Sequence, residues 1–273
     1  MTIKQALTGA TQKLQEACER PRYEAELLLA YYLKRERLYL MTHDDEPLLE
    51  PEGYEALIAR RADDEPYEYI VQSVSFYDIH LFVKEGVLIP RPETEILIDL
   101  VAEIIEKEHL QHIAEIGVGS GAISVVLARK FPHLKIIATD ICQTPLEVAQ
   151  KNLDHFALTS QVTLRHSHLI DEVSEPLELV VSNPPYIAED FLLERNVVAY
   201  EPKEALFGGR EGDELLKEMI VDVQAKGVRW LCCEMGYDQK EPISRFVNQL
   251  GVQSLTFYKD LAGLDRGFIL QFF

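Results

Sequence analysis

From His112 to Leu250 the chain alternates between short apolar runs and longer segments of helical spacing. No other feature restricts its fold as much. His112–Ile116, Leu134–Thr139, Val162–Arg165, Leu177–Ser182 and Val228–Cys233 read as buried strands. Ser120–Lys130, Thr144–Phe156, Asp213–Lys226 and Pro242–Leu250 read as helices. Strands apolar at nearly every position suit a sheet covered on both faces, and helical crossovers make successive strands parallel. Two β-rich runs, Ser254–Lys259 and Gly267–Phe272, are close enough in sequence to pair antiparallel. The expectation is an α/β fold: a mostly parallel sheet between helices, closed by an antiparallel C-terminal hairpin. Ligands of such sheets bind at the carboxyl ends of the strands, so the loops there are where chemistry is expected.

The first 72 residues have a different pattern. Ile3, Ala6, Leu7, Ala10 and Leu14 predict a helix over 2–18, and Pro21 opens a second with an apolar stripe from Tyr23 to Leu33. Thr42–Pro51 reads as a loop, and Tyr54, Leu57 and Ile58 mark a third helix over 52–62. Residues 1–72 are thus expected to be a small all-helical bundle with no nucleophile pair or metal spacing: a packing domain, or a module that docks a macromolecular substrate, the reading favoured beside a complete catalytic domain. At Ser73 the pattern changes. Val74–Val83 alternates as a hairpin, and 73–90 is expected to link the bundle to a domain over 91–273. Pro90 and Pro92 force an extended path, after which Thr94 is expected to cap a helix running through Glu108.

The first βα loop reads Glu115-Ile116-Gly117-Val118-Gly119-Ser120-Gly121. Glycines there admit positive φ and let a ligand press on bare backbone, in front of the free N–H groups of a helix. The spacing is G-x-G-x-G, not the G-x-G-x-x-G of the dinucleotide fingerprint. Nineteen residues after Gly121, Asp140 ends the next strand, where a carboxylate can accept both hydroxyls of a ribose. Loop and carboxylate together indicate an adenosine-containing cofactor. A dinucleotide and S-adenosylmethionine both fit these residues.

Asn183-Pro184-Pro185-Tyr186, directly after the strand ending at Ser182, separates the two. The prolines remove two backbone donors and leave the carbonyls free to accept. Asn183 adds an acceptor on its side chain and Tyr186 a flat face. Such a wall receives a planar NH2-bearing group, which a methyltransferase needs and a dehydrogenase does not. The substrate-facing residues are expected to be Asn183, Pro184, Pro185 and Tyr186.

Charge bears on which NH2 group that is. The net charge is −19, with nine basic and 15 acidic side chains already within residues 1–75. A nucleic-acid enzyme carries a basic footprint, and no Lys/Arg cluster here exceeds Lys34-Arg35-Glu36-Arg37. An acidic surface favours a basic protein partner instead, so no direct nucleic-acid binding is expected. Cys18, Cys142, Cys232 and Cys233 form no C-x-x-C pair and read as free thiols, and no metal site is expected. Without a signal-peptide core or an apolar run of ~18 residues, the expected location is the cytoplasm, away from membranes. A monomer is expected.

These residues resemble a known family, the protein-glutamine methyltransferases of the PrmC/HemK type that modify peptide chain release factors. The resemblance spans nearly the whole chain: the helical N-terminal region, Ile89-Pro90-Arg91-Pro92-Glu93-Thr94-Glu95, the 115–121 loop, Asn183–Tyr186, and Glu201-Pro202 through Ala205-Leu206-Phe207-Gly208-Gly209. Asn-Pro-Pro-Tyr alone is shared with methyltransferases of adenine in DNA and guanine in rRNA; the 89–95 and 201–209 stretches are more particular. The resemblance implies a Rossmann-like S-adenosyl-L-methionine-dependent methyltransferase fold. It also implies a reaction at the side-chain amide nitrogen of the glutamine in the release factors' Gly-Gly-Gln motif. It implies that Gly117, Gly119 and Gly121 lie along the methionine part of the cofactor, that Glu115, Val118, Ser120 and Asn183 also contact the cofactor, and that Asp140 takes the ribose. His168 and Leu169 fall beside the adenine, where His168 departs from the acidic residue usual in the family. Glu115 replaces the more usual Asp, and Cys233-Glu234-Met235-Gly236 replaces a segment that commonly carries His after Glu; that segment is assigned no chemistry.

An amide nitrogen is a weak nucleophile, since its lone pair is shared with the carbonyl. Catalysis is therefore expected from held geometry, which can supply ~7–11 kcal/mol of a barrier. Asn183 and the Pro184 carbonyl are expected to accept the two N–H bonds, with Tyr186 stacked on the amide and no general base required before transfer.

Overall fold

The structure, a computed structural model, describes residues 1–193 and 195–273. By their internal contacts these residues form two compact units, a helical one and a sheet-based one.

The helical unit contains α1 (Ile3–Lys13), α2 (Pro21–Leu33), α3 (Arg37–Thr42), α4 (Pro51–Ala62) and α5 (Tyr67–Val71). A capping box starts α1: the Thr2 hydroxyl accepts from the Gln5 amide at 3.3 Å and the Gln5 side chain accepts from the Thr2 amide at 2.9 Å. The helix stops at Lys13, short of the expected residue 18. Residues 14–18 close single turns, and Arg20, which precedes Pro21, is excluded from helical geometry. Leu7, Leu14, Leu28, Leu29, Tyr54 and Ile58 are buried in the core of this unit. The buried Tyr54 hydroxyl is satisfied by the Ala25 carbonyl at 3.0 Å. Helix α3 has Leu40 as its one buried residue, too little pattern to be read in sequence.

The sheet-based unit opens with a hairpin of β1 (Val74–Phe76) and β2 (Ile79–Leu81). It continues through α6 (Thr94–Glu108), β3 (His112–Ile116), α7 (Ala122–Lys130), β4 (Lys135–Asp140), α8 (Gln143–His155), β5 (Val162–His166), β6 (Leu179–Ser182) and β7 (Ile187–Ala188). Helix α9 (Arg195–Tyr200) belongs to the helical unit. The sheet-based unit resumes with β8 (Phe207–Gly209), α10 (Glu214–Ala225), β9 (Trp230–Glu234), α11 (Lys240–Val247), β10 (Ser254–Lys259) and β11 (Asp265–Gln271). Seven strands form one sheet in the order β10-β11-β9-β6-β3-β4-β5. The five from β9 to β5 are parallel, and β11 runs antiparallel to both β9 and β10. Val180, Leu231 and Phe268 from this sheet pack with Met219, Ile220 and Val223 of α10 and with Ile243 and Val247 of α11.

The chain runs outward from β3 to β4 and β5, then returns to place β6 on the other side of β3. The strand order thus reverses at β3/β6, where an α/β sheet opens a crevice. Register sets what faces it: Ile116 pairs with Ser182, and Ser182 with Cys233. The ends of β3, β6 and β9, and so Gly117, Asn183 and Glu234, therefore come level.

Residues 74–90, read in sequence as part of a linker, are tied into the sheet-based unit. Asn152 of α8 accepts from the Phe82 amide at 2.8 Å and donates to the Phe82 carbonyl at 2.9 Å. Arg129 of α7 pairs with Asp78 at 2.8 Å. Among the described residues no helix is long and apolar enough to cross a membrane.

Candidate active site

A cavity of ≈ 500 Å³ opens at the carboxyl ends of β3, β4 and β6. Glu115, Gly117, Val118, Gly119, Ser120, Asp140, His168, Leu169, Asn183, Pro184 and Pro185 all reach its wall. Gly121 and Tyr186 do not.

The glycine loop is shaped by backbone bonds from Gly117 and Val118 to the Thr139 carbonyl, both at 2.9 Å. Gly117 and Gly119 hold φ of +73° and +53°, and a Cβ on either would meet nothing nearer than 4.0 Å. The bare backbone therefore fronts open space of the kind a bound group fills. Gly121, at φ +83°, serves packing instead: a Cβ there would lie 3.4 Å from that of Ala149 in α8.

Two carboxylates flank the loop. Asp140 accepts from the Gly119 amide at 3.2 Å and the Cys142 amide at 3.0 Å, one on each oxygen. Burial raises its pKa and these backbone bonds oppose the rise. Each oxygen keeps a lone pair for a further donor. Glu115, 2% exposed, accepts from both the amide and the hydroxyl of Ser124, all on Oε2. Burial pushes it up to about 8 against those bonds, and the nearby Asp140 adds to the rise. A cationic group in the cavity would favour the ionised form of both. The bare loop and the paired carboxylates fit a cofactor with a cationic head and a ribose. His168 lies 3.7 Å from Asp171 and 3.8 Å from Glu218, on the rim.

Asn183 follows β6. Its Nδ2 donates to the Thr94 hydroxyl at 2.9 Å, which commits the amino end of the amide to the protein. Among the described residues nothing donates to Asn183 Oδ1 or to the Pro184 carbonyl. The wall is thus acceptor-rich, as the two prolines dictate. Thr94 is not the expected cap: Glu93 occupies the cap position of α6, and the Thr94 hydroxyl donates to Glu234 Oε2 at 2.5 Å. Tyr186 packs against the core, its hydroxyl 3.5 Å from Glu234 Oε1. Burial, with the Glu234 charge adding to it, pushes Tyr186 up to about 12.

Sequence reasoning gave no role to Gln239, which braces this turn, and did not foresee that Glu201 ties down the 89–91 stretch. Gln239, buried, accepts from the Gly236 amide and donates to the Tyr186 carbonyl, both at 2.8 Å. Glu201, buried, accepts from the Ile89 amide at 3.2 Å and from Arg91 at 2.5 Å. An acid directly before Pro202 and an arginine between two prolines were the available signal for that pair. β7 and β8 pair parallel and set the 207–209 stretch against the residues after Pro185.

Residues 5–71 match the PrmC N-terminal domain and residues 93–199 the methyltransferase small domain. A release factor glutamine methyltransferase of Koribacter versatilis is 36% identical over 275 residues, 97% of each chain. The enzyme of the same name from Coxiella burnetii is 34% identical, again over 97% of each. The chain belongs to the release factor glutamine methyltransferase family. Its fold is also similar to that of the human METTL16 catalytic domain solved with an RNA hairpin. The TM-score is 0.59 at 18% identity, covering 71% of this chain and 75% of that one. At that identity the likeness is one of fold. The family membership accords with the 89–95 and 201–209 stretches, which Glu201 joins in space.

Proposed function

We propose that this family member transfers a methyl group from S-adenosyl-L-methionine to the side-chain amide nitrogen of the glutamine in the Gly-Gly-Gln motif of peptide chain release factors. The observation that carries this is the commitment of Asn183 Nδ2 to Thr94, which leaves Oδ1 and the Pro184 carbonyl as acceptors at the cavity wall. The names of the family relatives, release factor glutamine methyltransferases, support a release-factor glutamine as the substrate. S-adenosyl-L-methionine, when bound, supplies an electrophilic methyl.

The residues of the chain do the rest. Gly117 and Gly119 give room to the methionine part, and Glu115 faces its ammonium. Asp140 accepts from the ribose hydroxyls; His168 and Leu169 border the adenine. Asn183 Oδ1 and the Pro184 carbonyl accept the two amide N–H bonds and hold the nitrogen's lone pair toward the methyl. They also favour the positive charge that grows on nitrogen, until the methylated amide releases one N–H proton to solvent and becomes neutral. Pro185 keeps the turn rigid, and Tyr186, packed against the core behind the wall instead of stacked on the amide, supports it from the inner side. The helical region 1–72 docks the release factor, and the enzyme works in the cytoplasm.

Mass spectrometry of a release factor after incubation with enzyme and S-adenosyl-L-methionine tests this. The expected result is a gain of one methylene on the Gly-Gly-Gln glutamine, absent with Asn183→Ala. Methylation of DNA or rRNA with none on the release factor would overturn it.

A further inference from the structure

Glu234 lies outside every role assigned so far. It ends β9, is 1% exposed, and belongs to a segment given no chemistry from sequence. It is nevertheless linked to the site by two consecutive bonds. Thr94 donates its hydroxyl to Glu234 Oε2 at 2.5 Å, and Asn183 donates Nδ2 to the same hydroxyl at 2.9 Å. We propose that Thr94 and Glu234 are positioning residues that fix the polarity of the Asn183 amide, so that the pocket selects an NH2 donor over a carbonyl. This rests on the reading of Asn183 Oδ1 as the acceptor for the substrate amide.

The direction follows from valence. An ionised carboxylate can only accept, so it claims the one hydroxyl proton of Thr94. The hydroxyl oxygen then offers lone pairs alone toward Asn183 and requires a donor there. Only the NH2 end of the amide satisfies it, and Oδ1 is left for the cavity. A reversed amide would set Oδ1 against those lone pairs and present a donor to the substrate. Because the Thr94–Glu234 bond is charge-assisted, it is about twice as strong as a neutral one and resists that reversal. The cost is local: α6 begins without a side-chain cap, although Thr94 stands at its first turn. A broken local rule with a distant partner is typical of a functional site.

The groups around Glu234 set when the relay is in force. Burial raises its carboxyl to about 7, helped by Glu93 and opposed by the Thr94 bond, the Arg266 guanidinium and the Tyr186 hydroxyl. Tyr258 and Cys233 also face it. Above that pH the carboxylate accepts and the amide is held. Below it, a protonated Glu234 can itself donate to Thr94, freeing the Thr94 proton for Asn183 Oδ1. An acidic limb in kcat is the consequence.

The test compares Thr94→Val, Thr94→Ser and Glu234→Gln on a Gly-Gly-Gln peptide, with S-adenosyl-L-methionine affinity read by calorimetry and folding by thermal melts. Thr94→Val is expected to lower kcat about 10²-fold with cofactor Kd nearly unchanged, the scale of a lost catalytic alignment. Thr94→Ser should restore most of the rate. The acidic limb near 7 should vanish in Thr94→Val, where protonation of Glu234 no longer reaches Asn183. Should Thr94→Val not fold, Glu234→Gln, whose amide can donate to Thr94, must still depress kcat about tenfold or more, on the same alignment scale. A folded Thr94→Val at the parent rate, a Thr94→Ser as slow as Thr94→Val, or a fully active Glu234→Gln would overturn the relay. Asn183→Ala separates the two readings. If it is inactive while Thr94→Val is active, the relay alone fails; if it is fully active, the site assignment fails with it.

Discussion

Gly208→Ala is the sharpest probe of how the Asn183–Tyr186 turn is held. Gly208 sits in β8, and a Cβ built there would lie 2.5 Å from the carbonyl oxygens of both Pro185 and Gly212, and 3.0 Å from the Tyr186 Cα. Its φ lies outside the left-handed region, so alanine meets no conformational objection of its own. All three neighbours are backbone, and no rotamer can relieve the contact. Real Cβ atoms essentially never approach within 3.0 Å, so the strands must part by about 0.5 Å, and by about 0.9 Å to reach an ordinary 3.4 Å. The displaced oxygen belongs to the residue next to Pro184, whose carbonyl is proposed to hold the substrate. A misplacement of about 1 Å can cost about 10²-fold in rate, so a kcat loss of roughly 10–100-fold is expected. Overpacking should destabilise by ~1–3 kcal/mol, which leaves the protein folded. The assay is steady-state methylation of a Gly-Gly-Gln peptide, with cofactor Kd measured alongside; the glycine loop lies on another strand, so Kd should hold. Gly9→Ala is the control, since a Cβ there meets nothing within 4 Å. A folded Gly208→Ala with the parent kcat would refute the claim that this turn's position limits the rate.

Glu115→Gln should change how stability depends on pH. Its carboxyl is raised to about 8 in the folded chain, so the neutral form stabilises fully below the usual carboxylate range and that contribution is lost as pH climbs toward 8. Without cofactor, the variant's melting temperature at pH 8 should exceed the parent's by several degrees, reflecting about 2–4 kcal/mol, and a parent curve flat from pH 5 to 8 would contradict this. Asp140→Ala should weaken S-adenosyl-L-methionine binding by about 10²-fold or more in calorimetry, because a charged acceptor for two hydroxyls is removed. Deleting residues 1–72 should raise KM for intact release factor far more than for a Gly-Gly-Gln peptide; equal effects would count against docking.

What the sequence disclosed and what it withheld follow from the range of its patterns. Buried strands such as Leu179–Ser182 and helices such as Thr94–Glu108 carry their period within a few residues, so their existence and type were readable. Glycines 117 and 119 were readable because positive φ is a local demand. β7 and β8, two and three residues long, are held by pairing across about 20 residues and left no period to detect. Thr94 was misread for the same reason. Before a helix a threonine looks like a cap, and nothing nearby reveals that its hydroxyl serves a glutamate 140 residues away. Gln239 and Glu201 likewise act on backbone groups far off in sequence. Local rules therefore located the cofactor loop and the Asn-Pro-Pro-Tyr turn but not the side chains that orient them.

The electrostatics of the cavity bear on why positioning is enough. Asp140 and Glu234 end two of the parallel strands, Glu115 stands one residue before the end of a third, and all three are buried. Such a set is unfavourable by itself, as the raised pKa values of all three show. It becomes favourable when a positive charge enters. On the proposed reading, methyl transfer to an amide moves that positive charge from sulfur to nitrogen across the methyl carbon and creates no new net charge. The buried carboxylates therefore attract the charge in the ground state and in the transition state nearly alike, so they contribute to binding more than to rate. The discriminating contribution falls to groups whose interaction changes as the charge moves, and those are the acceptors touching the amide nitrogen's own hydrogens. Asn183 Oδ1 and the Pro184 carbonyl gain as the N–H bonds become more acidic. Removing Asp140 should accordingly weaken cofactor binding with little change in kcat at saturation, while misaligning Asn183 should do the opposite.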